Sequence, residues 1–169
     1  GNITLPLAAS HPSAELVGVD GAGSMLSVAA QRAAAAGLTV RWQQASLQDL
    51  QRGDLPELLG RADLIVSNSL LHHLHQPGLL WSLTRVLAAP GCRVLHRDLR
   101  RPATLMEARQ LQERHLPDGP QLLVRDFLAS LQAAFEVSEV EAQLAAADLN
   151  GLNVRAEDDR YLVVSGLVD

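Results

Sequence analysis

Short apolar runs alternate along this chain with stretches whose apolar positions recur every three to four residues, the pattern of strands exchanging with helices. A helical pattern covers residues 3–9. Residues 16–19 predict a strand, and the alanine-rich segment 24–36 predicts a helix that Gly37 ends in a left-handed turn. A second strand is expected at 39–43 and a short helix at 55–59. The run ADLIVS at 62–67 is apolar enough for a central strand covered on both faces. Pro77 starts a helix reaching Leu87, and Ala89-Pro90-Gly91 turns the chain into a strand at 92–96. Helices follow at about 105–114 and 122–135. Ser138 and Glu141 have capping-box spacing and mark a last helix to about Ala147. Residues 152–156 and 160–166 flank Glu157, Asp158 and Asp159 and read as an antiparallel hairpin. The alternation predicts an α/β fold: a mostly parallel sheet between two helical layers, closed by that hairpin.

Composition narrows the setting. With 169 residues, 47% hydrophobic and 20% charged, the chain can bury one sizeable core, so a single domain over residues 1–169 is expected. A net charge of -5 gives no general attraction to nucleic acid or to an anionic membrane. Two Trp, one Tyr and two Phe offer little surface for stacking bases, which favours a small-molecule partner over nucleic acid. The lone Cys92 has no internal disulfide partner, and no apolar run nears the roughly 18 residues of a membrane span. With no secretory leader visible, a reducing cytoplasm is the expected location.

Candidate chemistry concentrates at ELVGVDGAGSML, residues 15–26, where an apolar run stops on Asp20 and a glycine turn opens a helix. An acidic residue at the carboxyl end of a parallel strand can accept two hydrogen bonds from a ribose diol, which suggests a nucleoside-bearing cofactor. A carboxylate facing the helix dipole is the alternative.

Five segments in order resemble a class I S-adenosylmethionine-dependent methyltransferase, a Rossmann-like domain. Gly1-Asn2 before a helix resembles the tail of the family's glycine-rich first motif, and LVGVDGAGSML resembles the second. ADLIVSNSLLHHL resembles the fourth-motif strand and loop, LTRVLAAPGCRVL the helix, turn and strand after it, and the terminal hairpin the sixth and seventh strands. The resemblance implies S-adenosylmethionine as cofactor and assigns its contacts to Gly1, Asp20, Gly21, Met25, Ser46, Leu47, Asn68 and Ser69. Asp20 would hold the ribose hydroxyls. Met25 would lie against the adenine, or else fill the core. Ser46 stands where the family often has an aspartate accepting from the adenine amino group, with Gln48 or Asp49 as helpers. Asn68 would face the methionine moiety or the substrate, or cap the next helix.

His72, His73 and His75 crowd one turn, but no Cys or carboxylate sits at zinc-like spacing, so no metal is expected. His72 or His73 is the candidate catalytic base, taking a proton from the methyl acceptor. Arg97, Asp98, Arg100 and Arg101 either grip an anionic substrate or form a solvated basic turn. His96-Arg97-Asp98-Leu99 spells the start of a kinase catalytic loop, yet the required asparagine is Ala103. Gly21-Ala22-Gly23 leads to Leu26 where a dinucleotide loop needs its third glycine, so a nicotinamide-dependent reductase is the weaker reading.

The reaction implied by the resemblance is direct in-line displacement onto a small-molecule acceptor, which needs alignment and water exclusion rather than a protein nucleophile. A non-catalytic binding module on the same fold is the alternative, and a homodimer is compatible with either. If Gly1 closes the first motif, the family's first strand is missing from this chain, and a longer natural N-terminus is expected.

Overall fold

The computed structural model describes residues 2–169, so the Gly1 assignment lies outside the described residues. The chain forms two compact units, Gly1–Pro56 and Glu57–Asp169, each with its own sheet.

In the first unit, helix α1 (Thr4–Ser10) precedes strand β1 (Val17–Asp20), helix α2 (Gly23–Ala35), strand β2 (Arg41–Gln44) and helix α3 (Leu47–Arg52). β1 and β2 pair in parallel with Gly18 opposite Trp42 and Asp20 opposite Gln44, a β-α-β unit crossing through α2. Gly18 permits this packing, because a Cβ there would lie 2.3 Å from Trp42 Cζ3. Gly37, at φ +65°, ends the α2 segment as expected. α3 was not anticipated. It is six residues long and largely polar, so no apolar period announces it. Its signal is the cap: the Ser46 hydroxyl accepts from the Asp49 N–H at 3.1 Å, and the Asp49 carboxylate accepts from the Ser46 N–H at 2.7 Å.

After a 3-10 turn at Pro56–Leu58, the second unit comprises strand β3 (Ala62–Asn68), a 3-10 turn at Leu71–His73, helix α4 (Gly78–Leu87) and strand β4 (Ala88–Leu99). Helices α5 (Leu105–His115), α6 (Gln121–Ala133) and α7 (Val137–Ala146) lead to strands β5 (Leu152–Ala156) and β6 (Tyr161–Val168). The sheet order is β3-β4-β6-β5, with β3 parallel to β4 and the remaining ladders antiparallel. This is the mixed α/β arrangement with a closing hairpin that the alternation predicted.

Two local expectations need correction. β4 starts at Ala88, not at Cys92: Ala88 pairs with Ala62, and a register shift before Leu64 absorbs Pro90-Gly91 inside the strand instead of in a turn. The box that opens α7 joins Glu136 and Glu139, not Ser138 and Glu141; the Glu139 carboxylate accepts from the Glu136 N–H at 2.7 Å.

The core of the second unit lies on one face of the sheet. Cys92, Val94 and His96 of β4 point into it, with Leu162 and Val164 of β6, and Trp81, Val140 and Leu144 cover them from α4 and α7. Trp81 is fully buried, and its indole N–H donates to Gln143 Oε1 at 2.9 Å, tying α4 to α7. A second cluster, Leu99, Ala108, Leu111, Leu131 and Ala134, seats α5 and α6.

Inside the main core, the Thr84 hydroxyl donates to the Leu80 carbonyl at 2.9 Å and lies 3.2 Å from His96 Nε2, so it accepts from that nitrogen. Nδ1 of His96 is therefore an acceptor, and the Ser67 hydroxyl donates to it at 2.8 Å. Burial pushes the His96 imidazole down to about 4.

Candidate functional site

The expected site residues fall into two clusters, one in each unit, each at the carboxyl ends of parallel strands. That edge is where open α/β sheets receive ligands.

In the first unit β1 ends on Asp20, whose Oδ1 accepts from the Ala22 N–H at 2.8 Å. This bond shapes the turn into α2 and leaves Oδ2 without a partner among the described residues, on an exposed side chain. The carboxylate thus serves its own turn and keeps acceptor capacity for a ligand. Gly21 is open: a Cβ there would meet nothing closer than Ala45 O and Ser46 Cα, both at 3.9 Å. Gln44, missed in the sequence reading, closes one side by donating from Nε2 to the Gly21 carbonyl at 3.3 Å. Gly23 makes room for it, since a Cβ there would lie 2.9 Å from Gln44 Oε1. Met25 is 58% exposed in the first turn of α2, so it does not fill the core and its thioether is free to meet an apolar ring. Ser46 caps α3, with Leu47 half-buried beside it. Hydrogen bonds from Ser46, side chain first and backbone second, hold the Asp49 carboxyl below its usual range. The structure brings Asp20, Gly21 and Ser46 together through the Ala45 N–H, which donates to the Asp20 carbonyl at 3.2 Å.

In the second unit β3 ends on Asn68, which is exposed and donates from Nδ2 to Ser69 Oγ at 3.2 Å. Ser69 sits in the left-handed region at φ +54°, a conformation costing a non-glycine residue about 1–2 kcal/mol. It is held there by its N–H, which donates to the Arg97 carbonyl at 2.9 Å. Asn68 does not cap the following turn. Asp98 does that: its Oδ2 accepts from the N–H groups of Leu70 at 2.6 Å and Leu71 at 2.7 Å. Asp98 is 2% exposed, and its Oδ1 meets His72 Nδ1 at 2.5 Å.

His72 and His73 therefore differ sharply. His72 is buried and tied to Asp98, whereas His73 is exposed with its ring centroid 3.9 Å from that of His72. Partial loss of hydration, and then the neighbouring His72 imidazole, hold the His73 imidazole below its usual range. Among the described residues no group of three or more His, Cys, Asp or Glu side chains is placed to hold a metal ion. No helix among them is long and apolar enough to cross a membrane.

The basic stretch is neither an anion grip nor a solvated turn. Arg97 pairs with Glu157 at 2.5 Å and stacks 3.4 Å above the Tyr161 ring. Arg100 donates to the carbonyls of Asp158 and Asp159 at 3.2 and 3.1 Å, and Arg101 pairs with Glu139 at 2.6 Å. The acidic hairpin turn and the α7 cap already occupy these cations. Asp98 was read only as part of this stretch, and its anchoring role was missed because the turn it holds lies 26 to 28 residues away in sequence.

The profile of a family described as a methyltransferase domain matches residues 1–91. Among solved structures, the chain is similar to a SAM-dependent methyltransferase from Aquifex aeolicus, at 15% identity and TM-score 0.63, over 92% of this chain and 69% of that one. It is also similar to the plantazolicin methyltransferase BamL, solved in complex with a triazolic desmethylPZN analog and SAH, at 11% identity and TM-score 0.72, over 99% and 73% of the two chains. A third similar structure is the YcgJ protein from Bacillus subtilis, at 16% identity and TM-score 0.61, over 90% and 82%. Across such matches the chain spans from 48% to 89% of the other chain's length. At these identities the likeness is one of fold.

Proposed function

The chain belongs to the methyltransferase domain family, and we propose that it transfers the methyl group of S-adenosylmethionine directly to a small-molecule acceptor. The observation that carries this reading is Asp20: a carboxylate ending a parallel strand, with one oxygen committed to the Ala22 N–H and the other without a partner among the described residues. The residues around it suit a nucleoside. Oδ2 would accept from the ribose diol, the open Gly21 backbone leaves room for the sugar, and the exposed Met25 side chain would lie against the adenine. Leu47 lends apolar surface at the start of α3, and Ser46 offers a hydroxyl beside the purine amino group.

When bound, the cofactor supplies a sulfonium methyl, whose C–S bond breaks with its electron pair passing to sulfur as the acceptor atom bonds to the methyl carbon. The protein's own work is alignment and water exclusion, worth about 7–11 kcal/mol in favourable cases. The second unit carries its own polar groups at the end of β3, Asn68 and Ser69, on a turn that Asp98 holds in one conformation. His72 and His73 follow on that turn and are the groups able to take the acceptor's proton.

Titration calorimetry with the demethylated cofactor tests this reading. Binding is expected, and Asp20→Asn should weaken it about tenfold, as a charged acceptor is replaced by a neutral one. Equal affinity in the two proteins would remove Asp20 from the site, and no heat with either would argue for a module of another function.

A further inference from the structure

The geometry of Asp98 points to a role that the methyl-transfer reading leaves open. Its carboxyl group accepts from the N–H groups of Leu70, Leu71 and Leu99 at 2.6, 2.7 and 2.8 Å, and from the more distant His72 N–H at 3.4 Å. To these it adds Nδ1 of His72 at 2.5 Å. A carboxylate has only acceptors to offer, so the hydrogen in that last contact belongs to Nδ1. In the neutral ring the lone pair then falls on Nε2. That atom has no hydrogen-bond partner among the described residues, and it is not among the atoms sealed from solvent.

One side chain therefore fixes two things together: the backbone of the turn that carries His72, and the tautomer of its ring. The same division of labour, a buried carboxylate orienting an imidazole whose far nitrogen does the proton chemistry, is known from hydrolases of unrelated fold. His73 has no such support. It is exposed, and no side-chain hydrogen bond holds its ring among the described residues.

We propose that Asp98 is a positioning residue that presents His72 Nε2, rather than His73, as the proton acceptor for a hydroxyl or amine methyl acceptor. This rests on the methyl-transfer reading above. The proton on the acceptor's oxygen or nitrogen passes to Nε2 as that atom bonds to the methyl carbon and the C–S electron pair goes to sulfur. The resulting imidazolium keeps its Nδ1 hydrogen on Asp98 and afterwards loses the Nε2 proton to water. The acceptor class follows: it carries an ionisable hydrogen on the methylated atom, unlike a thioether or a tertiary amine.

The test needs neither cofactor nor acceptor. In protein labelled with 15N and 13C, with the His72 ring assigned through its own backbone resonances, the neutral ring should carry its hydrogen on Nδ1. Diethylpyrocarbonate, which attacks unprotonated imidazole nitrogen, should modify His72. Asp98→Asn should disturb the tautomer and slow that modification by about tenfold or more. An Nε2–H tautomer in the unaltered protein, or a His72 that the reagent cannot reach, overturns the proposal, and neither result depends on a variant folding. A modification rate unchanged in a folded Asp98→Asn also overturns it. Cofactor binding measured on the same samples separates the two readings: binding without the expected tautomer sinks the dyad alone, whereas the tautomer without binding sinks methyl transfer.

Discussion

Ser67 and His96 face each other across the β3–β4 ladder, and the serine hydroxyl donates to Nδ1 of the imidazole at 2.8 Å inside the main core. With Nε2 donating to Thr84, the neutral ring has a partner at both nitrogens. Burial lowers its folded-state value to about 4, against 6.5 for an unhindered imidazole. Between those values the unfolded chain binds the extra proton, so stability is fully present above pH 6.5 and is lost as pH falls toward 4. The loss is about 3 kcal/mol at most. Urea midpoints between pH 7 and 4 should fall for the unaltered protein. They should fall less for His96→Gln, which starts lower by about 1–3 kcal/mol from imperfect hydrogen bonding but titrates nothing there. Parallel acid limbs would show that His96 is not the group responsible.

Gly18 and Trp42 make a sharper steric prediction. A valine at position 18 puts its Cβ into the Trp42 ring, at 2.3 Å from Cζ3, so the indole has to swing away. The expected cost is about 1–3 kcal/mol, as for other overpacked sites. With fluorinated tryptophan, the resonance of Trp42 should shift in Gly18→Val while that of Trp81 stays in place. Two unmoved resonances would contradict the packing.

Ser46 has a structural duty and a proposed binding role, and two variants part them. Ser46→Ala removes the hydroxyl that accepts from the Asp49 N–H and should cost about 1 kcal/mol in thermal or urea unfolding. Ser46→Asp retains a good cap and adds an anionic acceptor, so stability should hold while affinity for the demethylated cofactor rises a few-fold. Unchanged affinity in Ser46→Asp would place the adenine elsewhere.

Trp81 is the largest fully buried side chain. Trp81→Ala should lose about 3–5 kcal/mol, and Trp81→Phe clearly less, because most of the ring's packing survives and only the bond to Gln143 is gone. Equal losses would mean that the hydrogen bond matters more than the packing.

The order of strands and helices was legible because it is written in local periodicity, and the closing hairpin was legible because an acidic turn separates two β-rich runs. Asp20 and the glycines after it were legible for the same reason, since the turn they form is shaped by a bond only two residues long. Other features had weaker local signals. α3 is too short and polar to show a period, and its start was visible only as Ser46 and Asp49 at capping distance. Pro90-Gly91 looked like a turn because those residues favour one, yet pairing with β3 draws Ala88 into the strand. Arg97, Arg100 and Arg101 read as a free basic patch because their acidic partners arrive from α7 and the terminal hairpin. Asp98 was the least visible of all. Its identity as an anchor exists only after β4 has paired with β3 and brought the residue beneath the following turn.

That anchoring has an evolutionary consequence. Because one carboxylate serves both the Leu70–Leu71 backbone and the His72 ring, a substitution at position 98 changes the loop and the imidazole in a single step. Neither can drift by small independent changes. Among descendants of this sequence, positions 98 and 72 should be inherited as a pair or lost as a pair, and a line that gives up one should soon reshape the turn between residues 69 and 73.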